Sequence, residues 1–454
     1  MIVKHKRELP APSRRRFWPK PAQIRENITG YLFVSPAMII ISLFGLFPIG
    51  YAVYMSFFRW RVKKGDWRGL QNYLDVIGDW DGGLLFAVGF VLLLFAYWIW
   101  VESFKQQTTE RKTKHTVFAG ILGASGLLTV VRGFANSSEP DVLVFFFVGA
   151  CLFAGAWAMW SRFFALKREG DLFWLRLLPA FALLGVSLFA IFYGYDRMLS
   201  GAKSEEYLEG LVITFDYAFG SVPIQLGVAL VLAYILYQNI RGKEMFRMVF
   251  FLPYVTPAVA SAVVFRTVFD RQPNSLINQI LGKFGFDAHE WLYESEPFLN
   301  VIFGVDLSGF IAGPSMALVS IVMLGVWTYT GYNTVIFLAG LGSIPGDLYE
   351  AARVDGANQR HLFRHITFPL LSPITFYLSI LAFIGTFKAF NHIYVMRVPQ
   401  AKGTADTASI VVFDTFKVDR EYGLATAQAI ILFFIILSLT QAQRNIFEKR
   451  VFYG

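Results

Sequence analysis

The chain has 454 residues, of which 55% are hydrophobic, 17% aromatic and only 16% charged, with a mean hydropathy of +0.49. A soluble domain carries about 25% charged residues, which excludes a water-soluble globular fold, and long continuous apolar runs argue against a β-barrel. The formal charge of +9 belongs to loops flanking a membrane, so no nucleic-acid partner is expected, and the single cysteine, Cys151, leaves neither a disulfide framework nor a Cys-based metal site.

A basic leader over residues 1–30 (Lys4, Lys6, Arg7, Arg14, Arg15, Arg16, Lys20, Arg25) precedes an apolar stretch too long for a signal peptide. It is read as cytoplasmic, before an uncleaved first span. Ten segments approach the ~20 residues that cross a bilayer: 31–58, 84–101, 116–134, 141–161, 173–195, 210–237, 246–269, 315–341, 371–395 and 423–443. The expected class is an all-α polytopic membrane protein. Alternate loops test the partition. Lys105, Arg111, Lys112, Arg162, Lys167, Arg241, Lys243, Arg353, Arg360, Arg364 and Arg444 fall inside, whereas Glu205, Glu206, Glu209, Glu290, Glu294 and Glu296 fall outside. Both termini are then cytoplasmic. One loop dissents: residues 59–69, assigned outside, carry Arg59, Arg61, Lys63, Lys64 and Arg68.

Pro253 and Pro257 bend the seventh span and free backbone carbonyls, either as a packing kink or as the lining of a gate. The outside stretch 270–314, with turn residues and an apolar patch over 298–303, is expected to form a small cap.

Residues 343–370 form a compact helix-turn-helix on the positive side. Pro345 suits the first turn of a helix, with Asp347 and Glu350 near its positive end and Leu348, Ala351, Ala352 and Val354 on a small flat face. Gly356 closes this helix, Asn358 caps a second over 359–366 bearing Leu362, Phe363 and Ile366, and Pro369 breaks the chain before the next span. Physical reasoning leaves a docking element and an ordinary connection both open.

The spacing Glu350-Ala351-Ala352, three residues, Gly356, nine residues, Ile366, one residue, Phe368-Pro369 resembles the EAA loop of binding-protein-dependent ABC transporter permeases, with Phe368 where Leu is usual. The resemblance implies a coupling helix seated on a separate ATPase, and assigns ATPase coupling to Glu350, Ala351, Ala352, Asp355, Gly356, Ile366, Phe368 and Pro369. Tyr31 to Ala37, Gly69-Leu70-Gln71-Asn72-Tyr73, Phe251-Leu252-Pro253, Phe337 to Leu341 and Phe387 to Met396 are similar to sugar permeases of the maltose and glycerol-phosphate type. It implies a type I importer core of six spans, made of residues 31–79 and 208–454, with four further spans inserted at 80–207. For those four, lipid-facing padding and contact with another subunit both stay open.

Polar groups within spans are costly and face a cavity or another helix. Trp327, Thr328, Tyr329, Tyr332 and Asn333 in the eighth span, and Thr386, Lys388, Asn391 and His392 in the ninth, set aromatic faces beside amides and hydroxyls, which suits a sugar. The resemblance favours the same residues as substrate path; helix–helix hydrogen bonding is the alternative. Lys388 keeps an anionic solute such as glycerol phosphate open, and a proton-coupled carrier would have little beyond Asp216 to use. No Gly-x-x-x-x-Gly-Lys-[Ser/Thr] occurs, so the chain is expected to bind no cofactor and to catalyse no reaction. The resemblance then implies ATP and Mg on a partner ATPase dimer, together with a second permease subunit and an extracytoplasmic solute-binding protein.

Overall fold

A computed structural model describes residues 21–78, 80–105, 173–238, 240–305 and 313–447. The chain divides into two units, one ending at Met55 and one beginning at Ser56. The first is helical: α1 (Pro21–Ile41) passes through a π-helical turn (Ser42–Leu46) into α2 (Phe47–Ser56). Tyr31, Phe33, Phe44 and Phe47 are exposed along it. A helix satisfies its own backbone polar groups, so such a surface is stable in lipid and unstable in water.

The second unit opens with a two-stranded antiparallel hairpin, β1 (Phe58–Trp60) and β2 (Lys64–Trp67), followed by α3 (Gln71–Ile77). Asn72 donates to the carbonyls of Ser56 and Phe58, which ties α3 to the hairpin. Next come α4 (Trp80–Lys105) and α5 (Phe173–Gly201), an antiparallel pair in which Gly82 lies against Gly194 and Gly89 against Ser187. Small residues let two helices approach closely where lipid offers no hydrophobic drive for their association. The pair leaves and rejoins the fold at one place. Gly78 touches Met198 and Ala202, the Lys203 amide donates to the Asp75 carbonyl, and Lys203 and Arg68 both pair with the Asp75 side chain at 2.9 Å. Burial raises the Asp75 pKa, but hydrogen bonds from Lys203 and Gln71 and the nearby cations outweigh it, so the carboxyl lies below its ordinary range.

The remaining helices are α6 (Glu205–Tyr237), α7 (Lys243–Val255), α8 (Ala258–Val268), α9 (Leu276–Lys283), α10 (Phe298–Phe303) and α11 (Met316–Gly342). After them come α12 (Gly346–Val354), α13 (Gln359–Leu362), α14 (Phe368–Leu370), α15 (Ser372–Phe387), α16 (Asn391–Met396), α17 (Ala408–Lys417) and α18 (Tyr422–Phe447). Helix α11 is the centre: α6, α7 and α15 pack on it, and its residues Leu318, Ile321, Leu324, Phe337 and Leu341 are buried. At Gly331 the backbones of α11 and α7 meet, and any Cβ there would collide with the Phe250 carbonyl.

Among the described residues four helices are long and apolar enough to cross a membrane, or six if each of two bent pairs is one span. This falls short of the ten expected. The predicted spans 84–101 and 173–195 coincide with α4 and α5, while 116–134 and 141–161 lie outside the described residues. Two expected single spans are broken. The seventh turns by 95° between α7 and α8 at Thr256-Pro257, because Pro257 has no amide to continue α7 and instead caps α8. The ninth ends at Phe387, and a new helix begins at Asn391 after an irregular Lys388-Ala389-Phe390. The stretch 270–314 holds α9, α10 and a 3-10 turn at Trp291–Tyr293, whose indole donates to Asn278 at 2.8 Å, a small folded element of the kind expected.

Two outcomes test this packing. Gly331→Ala forces α7 and α11 apart and is expected to lower stability by about 1–3 kcal/mol, seen as a reduced Tm in detergent, as overpacking does; an unchanged Tm contradicts the backbone contact. Asp75→Asn weakens the base of the α4–α5 pair by about 1 kcal/mol and speeds tryptic cleavage at Arg68 and Lys203; wild-type cleavage rates contradict the clamp.

Candidate functional site

Between α11 and α15 the chain builds a hairpin whose outer helix has little to pack against. Pro345 takes the N-cap position of α12 rather than its first turn, and no residue of α12 is buried. Val354 is 88% exposed, and Leu348, Glu350, Ala351, Asp355 and Gly356 are exposed beside it, with Ala352 half-buried. Gly356 has φ +83° and its amide donates to the Arg353 carbonyl, the left-handed stop expected of glycine. A Cβ there would meet nothing within 4 Å, so the demand on this position is backbone conformation and not space within the chain. The Asn358 side chain accepts from the His361 amide at 3.0 Å, capping α13.

The return strand differs from expectation. A π-helical turn (Phe363–Thr367) runs from α13 into α14, and Pro369 sits within this continuous helix, which breaks only at Leu371 with a 59° bend. The widened turn before Pro369 accommodates its ring and its missing donor. Thr367 is buried and hydrogen-bonds the Tyr349 hydroxyl at 3.0 Å, pinning α12 to the return strand. Burial raises the Tyr349 pKa, and that hydrogen bond opposes the rise. Ile366 and Tyr349 pack on a core of Ala233, Phe337, Leu341, Ile344 and Leu371. The residues singled out from the sequence therefore divide: Glu350, Ala351, Asp355, Gly356 and Phe368 face outward, Ala352 and Pro369 are half-buried, and Ile366 holds the hairpin to the fold.

The two polar runs also divide. Tyr332 stacks on Tyr254 of α7 with ring centroids 4.6 Å apart, Tyr329 lies edge-on to the same ring at 6.1 Å, and Trp327 tilts against Phe265 of α8 at 5.0 Å. Asn333 and Thr386 are buried, and the Thr386 hydroxyl donates to the Phe383 carbonyl of its own helix. Thr328 is half-buried, whereas Lys388 and Asn391 are exposed on either side of the break between α15 and α16. What joins the two runs is Tyr217 of α6, whose hydroxyl lies 2.8 Å from His392 Nε2 and against Gly325 of α11. Tyr217, Tyr254 and Phe265 were not among the expected site residues. The prolines at 253 and 257 carried the one available signal, since the bend they make turns Tyr254 and Phe265 toward α11.

Residues 225–453, a stretch that includes α12 and both polar runs, match the family described as binding-protein-dependent transport system inner membrane component. The trehalose/maltose transport system permease protein MalF of Thermococcus litoralis is 30% identical over 249 residues, which is 55% of this chain and 77% of that protein. The arabinooligosaccharides transport system permease protein AraP of Bacillus subtilis is 30% identical over 49% of this chain and 66% of its own length. The sn-glycerol-3-phosphate transport system permease protein UgpA of Rhizobium meliloti is 30% identical over 58% and 83% respectively. On the family match and these relatives, the chain belongs to the inner membrane components of binding-protein-dependent transport systems.

Proposed function

We propose that the chain is the permease subunit of an ATP-driven importer that passes a sugar or oligosaccharide inward across the bacterial inner membrane. The observation that carries this reading is α12, a short helix with exposed Leu348, Ala351 and Val354, pinned at its base yet unburied along its length. A water-exposed apolar helix face is costly unless a partner covers it. The reading makes that partner a cytoplasmic ATPase dimer holding ATP and Mg, with both termini of this chain on the same side. A second permease subunit and an extracytoplasmic solute-binding protein complete the assembly. The permease supplies no catalytic group of its own.

The sugar assignment is supported by the names of the relatives MalF and AraP and by the aromatic group at the α7–α11 contact. Rings such as those of Tyr254, Tyr329, Tyr332 and Trp327 offer flat apolar faces with hydroxyl or indole edges, matching the apolar faces and hydroxyl rims of a sugar. In this reading Lys388 and Asn391, at the helix break, add polar contacts along the path, and Ile366 acts by holding the hairpin.

The test is ATP hydrolysis by the reconstituted complex with a panel of sugar-loaded binding proteins. A sugar or oligosaccharide is expected to stimulate hydrolysis, and stimulation only by a non-sugar solute contradicts the substrate class. Gly356→Val costs about 1–2 kcal/mol of backbone strain at the end of α12. It is expected to cut stimulated hydrolysis roughly tenfold at normal membrane insertion; full stimulated activity contradicts the coupling role.

A further inference from the structure

A cavity of about 300 Å³ opens beside the β1–β2 hairpin, away from both regions described above. Arg59, Arg61, Arg68 and Lys203 line it together with Asp75 and Glu421, so it carries two more cations than carboxylates. The carboxylates are already committed. Asp75 is shared by Arg68 and Lys203, and Glu421 pairs with Arg61. Among the described residues Arg59 has no carboxylate partner, and its exposed guanidinium borders the cavity with Trp60. The cavity lies at the first residues of α6 and α18, two helices of membrane-crossing length, which places it at the membrane surface. In the segments that supply its lining, or next to them in sequence, Val62, Trp67, Leu70 and Trp80 are exposed large apolar side chains, the composition of a lipid interface rather than of a water-facing patch. Further along α18, Ala425 and Ala429, which follow Leu424 of the first lining in sequence, line a second cavity of about 380 Å³ with Phe413 and Phe416, an apolar setting for an acyl chain.

We propose that this cavity holds the phosphate of an anionic phospholipid, with Arg59 as the cation that meets it, at the seam between the transport core and the base of the α4–α5 pair. A surplus of guanidinium and ammonium donors is the chemistry that recognises a phosphate oxyanion, and flanking tryptophans fix the depth of the headgroup. The cavity also gathers three of the five cations, Arg59, Arg61 and Arg68, that residues 59–69 carry against the charge bias of the other loops. An acidic soluble partner would leave the exposed Trp67 and Trp80 in water, so lipid is the better fit.

The full chain is reconstituted in nanodiscs of phosphatidylglycerol with phosphatidylcholine, and retained lipid is counted by native mass spectrometry. Wild type is expected to retain phosphatidylglycerol over phosphatidylcholine. Arg59→Gln is expected to lower that retention about tenfold, the loss of one charge-assisted contact. Arg59→Lys keeps most of it, and Lys283→Gln, on α9 outside the cavity lining, leaves it unchanged. Equal retention of the two lipids, or an Arg59→Gln variant that retains phosphatidylglycerol like wild type, overturns the proposal. So does saturation of the site by inorganic phosphate in pure phosphatidylcholine, which identifies a soluble anion as occupant. Loss of solute-binding-protein association in Arg59→Gln with lipid retention intact overturns it in favour of a protein contact.

Discussion

The contact on which the rest depends is that of α11 with the carbonyl of Phe250, possible only because residue 331 has no side chain. Lipid tails are as apolar as a leucine side chain, so helices in a bilayer gain little from hydrophobic burial and associate through close packing. Gly331 admits the backbone of α7, while Gly325 and Gly340, at other heights of the same helix, leave room for the side chains of Tyr217 on α6 and Ile374 on α15. The hydroxyls of Ser320, Thr330 and Thr334 donate to carbonyls of α11 itself, so these three buried hydroxyls ask nothing of the neighbours. Everything placed against α11, including the Tyr254–Tyr332 stack and the Tyr217–His392 hydrogen bond, inherits its position from these approaches.

Helices that break within a membrane must satisfy the freed backbone groups locally. At the break between α15 and α16, the Phe387 carbonyl accepts from Ser409 of the following segment, and the Lys388 and Ala389 amides turn back to Ile384 and Thr386. Just beyond α16, Arg397 pairs with both oxygens of Asp414 at 2.6 and 3.2 Å, fixing the start of the next excursion to α17. The α7–α8 turn at Pro257 is of another kind, a 95° corner that sets Tyr254 and Phe265 on two sides of one aromatic group. Both breaks therefore lie beside the residues proposed to meet the sugar, and irregular backbone is tolerated in a membrane where it borders protein or a cavity.

Features written into neighbouring residues were legible in the sequence. The left-handed Gly356, the Asn358 cap and the apolar side of the second hairpin helix depend on contacts within a few residues, and each stands where the sequence placed it. The expected stop at Pro369 failed because a π-helical turn, a rare form with no composition of its own, precedes it. The break after Phe387 was hidden because its free carbonyl is met by Ser409, 22 positions on, and the helix beyond it is held from further still. His392 meets Tyr217 of α6 across 175 positions, and no local rule of propensity reaches that far. The same reason hid the closed base of the α4–α5 pair, where Asp75 and Lys203 are separated by 128 positions. The substrate-path residues were legible as a group of polar and aromatic side chains, but their division into exposed Trp327 and Tyr329 and buried Asn333 and Thr386 depends on tertiary packing that no local pattern records.

The central claim is that the unburied face of α12 is where a partner ATPase sits. It is tested most directly by cysteine cross-linking in the assembled transporter, after Cys151, the single cysteine of the chain, is replaced by serine. A cysteine at Val354, on the exposed face, is predicted to cross-link to the ATPase subunit, and one at Ile374, turned into the core beside Gly340, to remain unlinked. Absence of any ATPase cross-link from position 354 in a complex that hydrolyses ATP in response to substrate would contradict it.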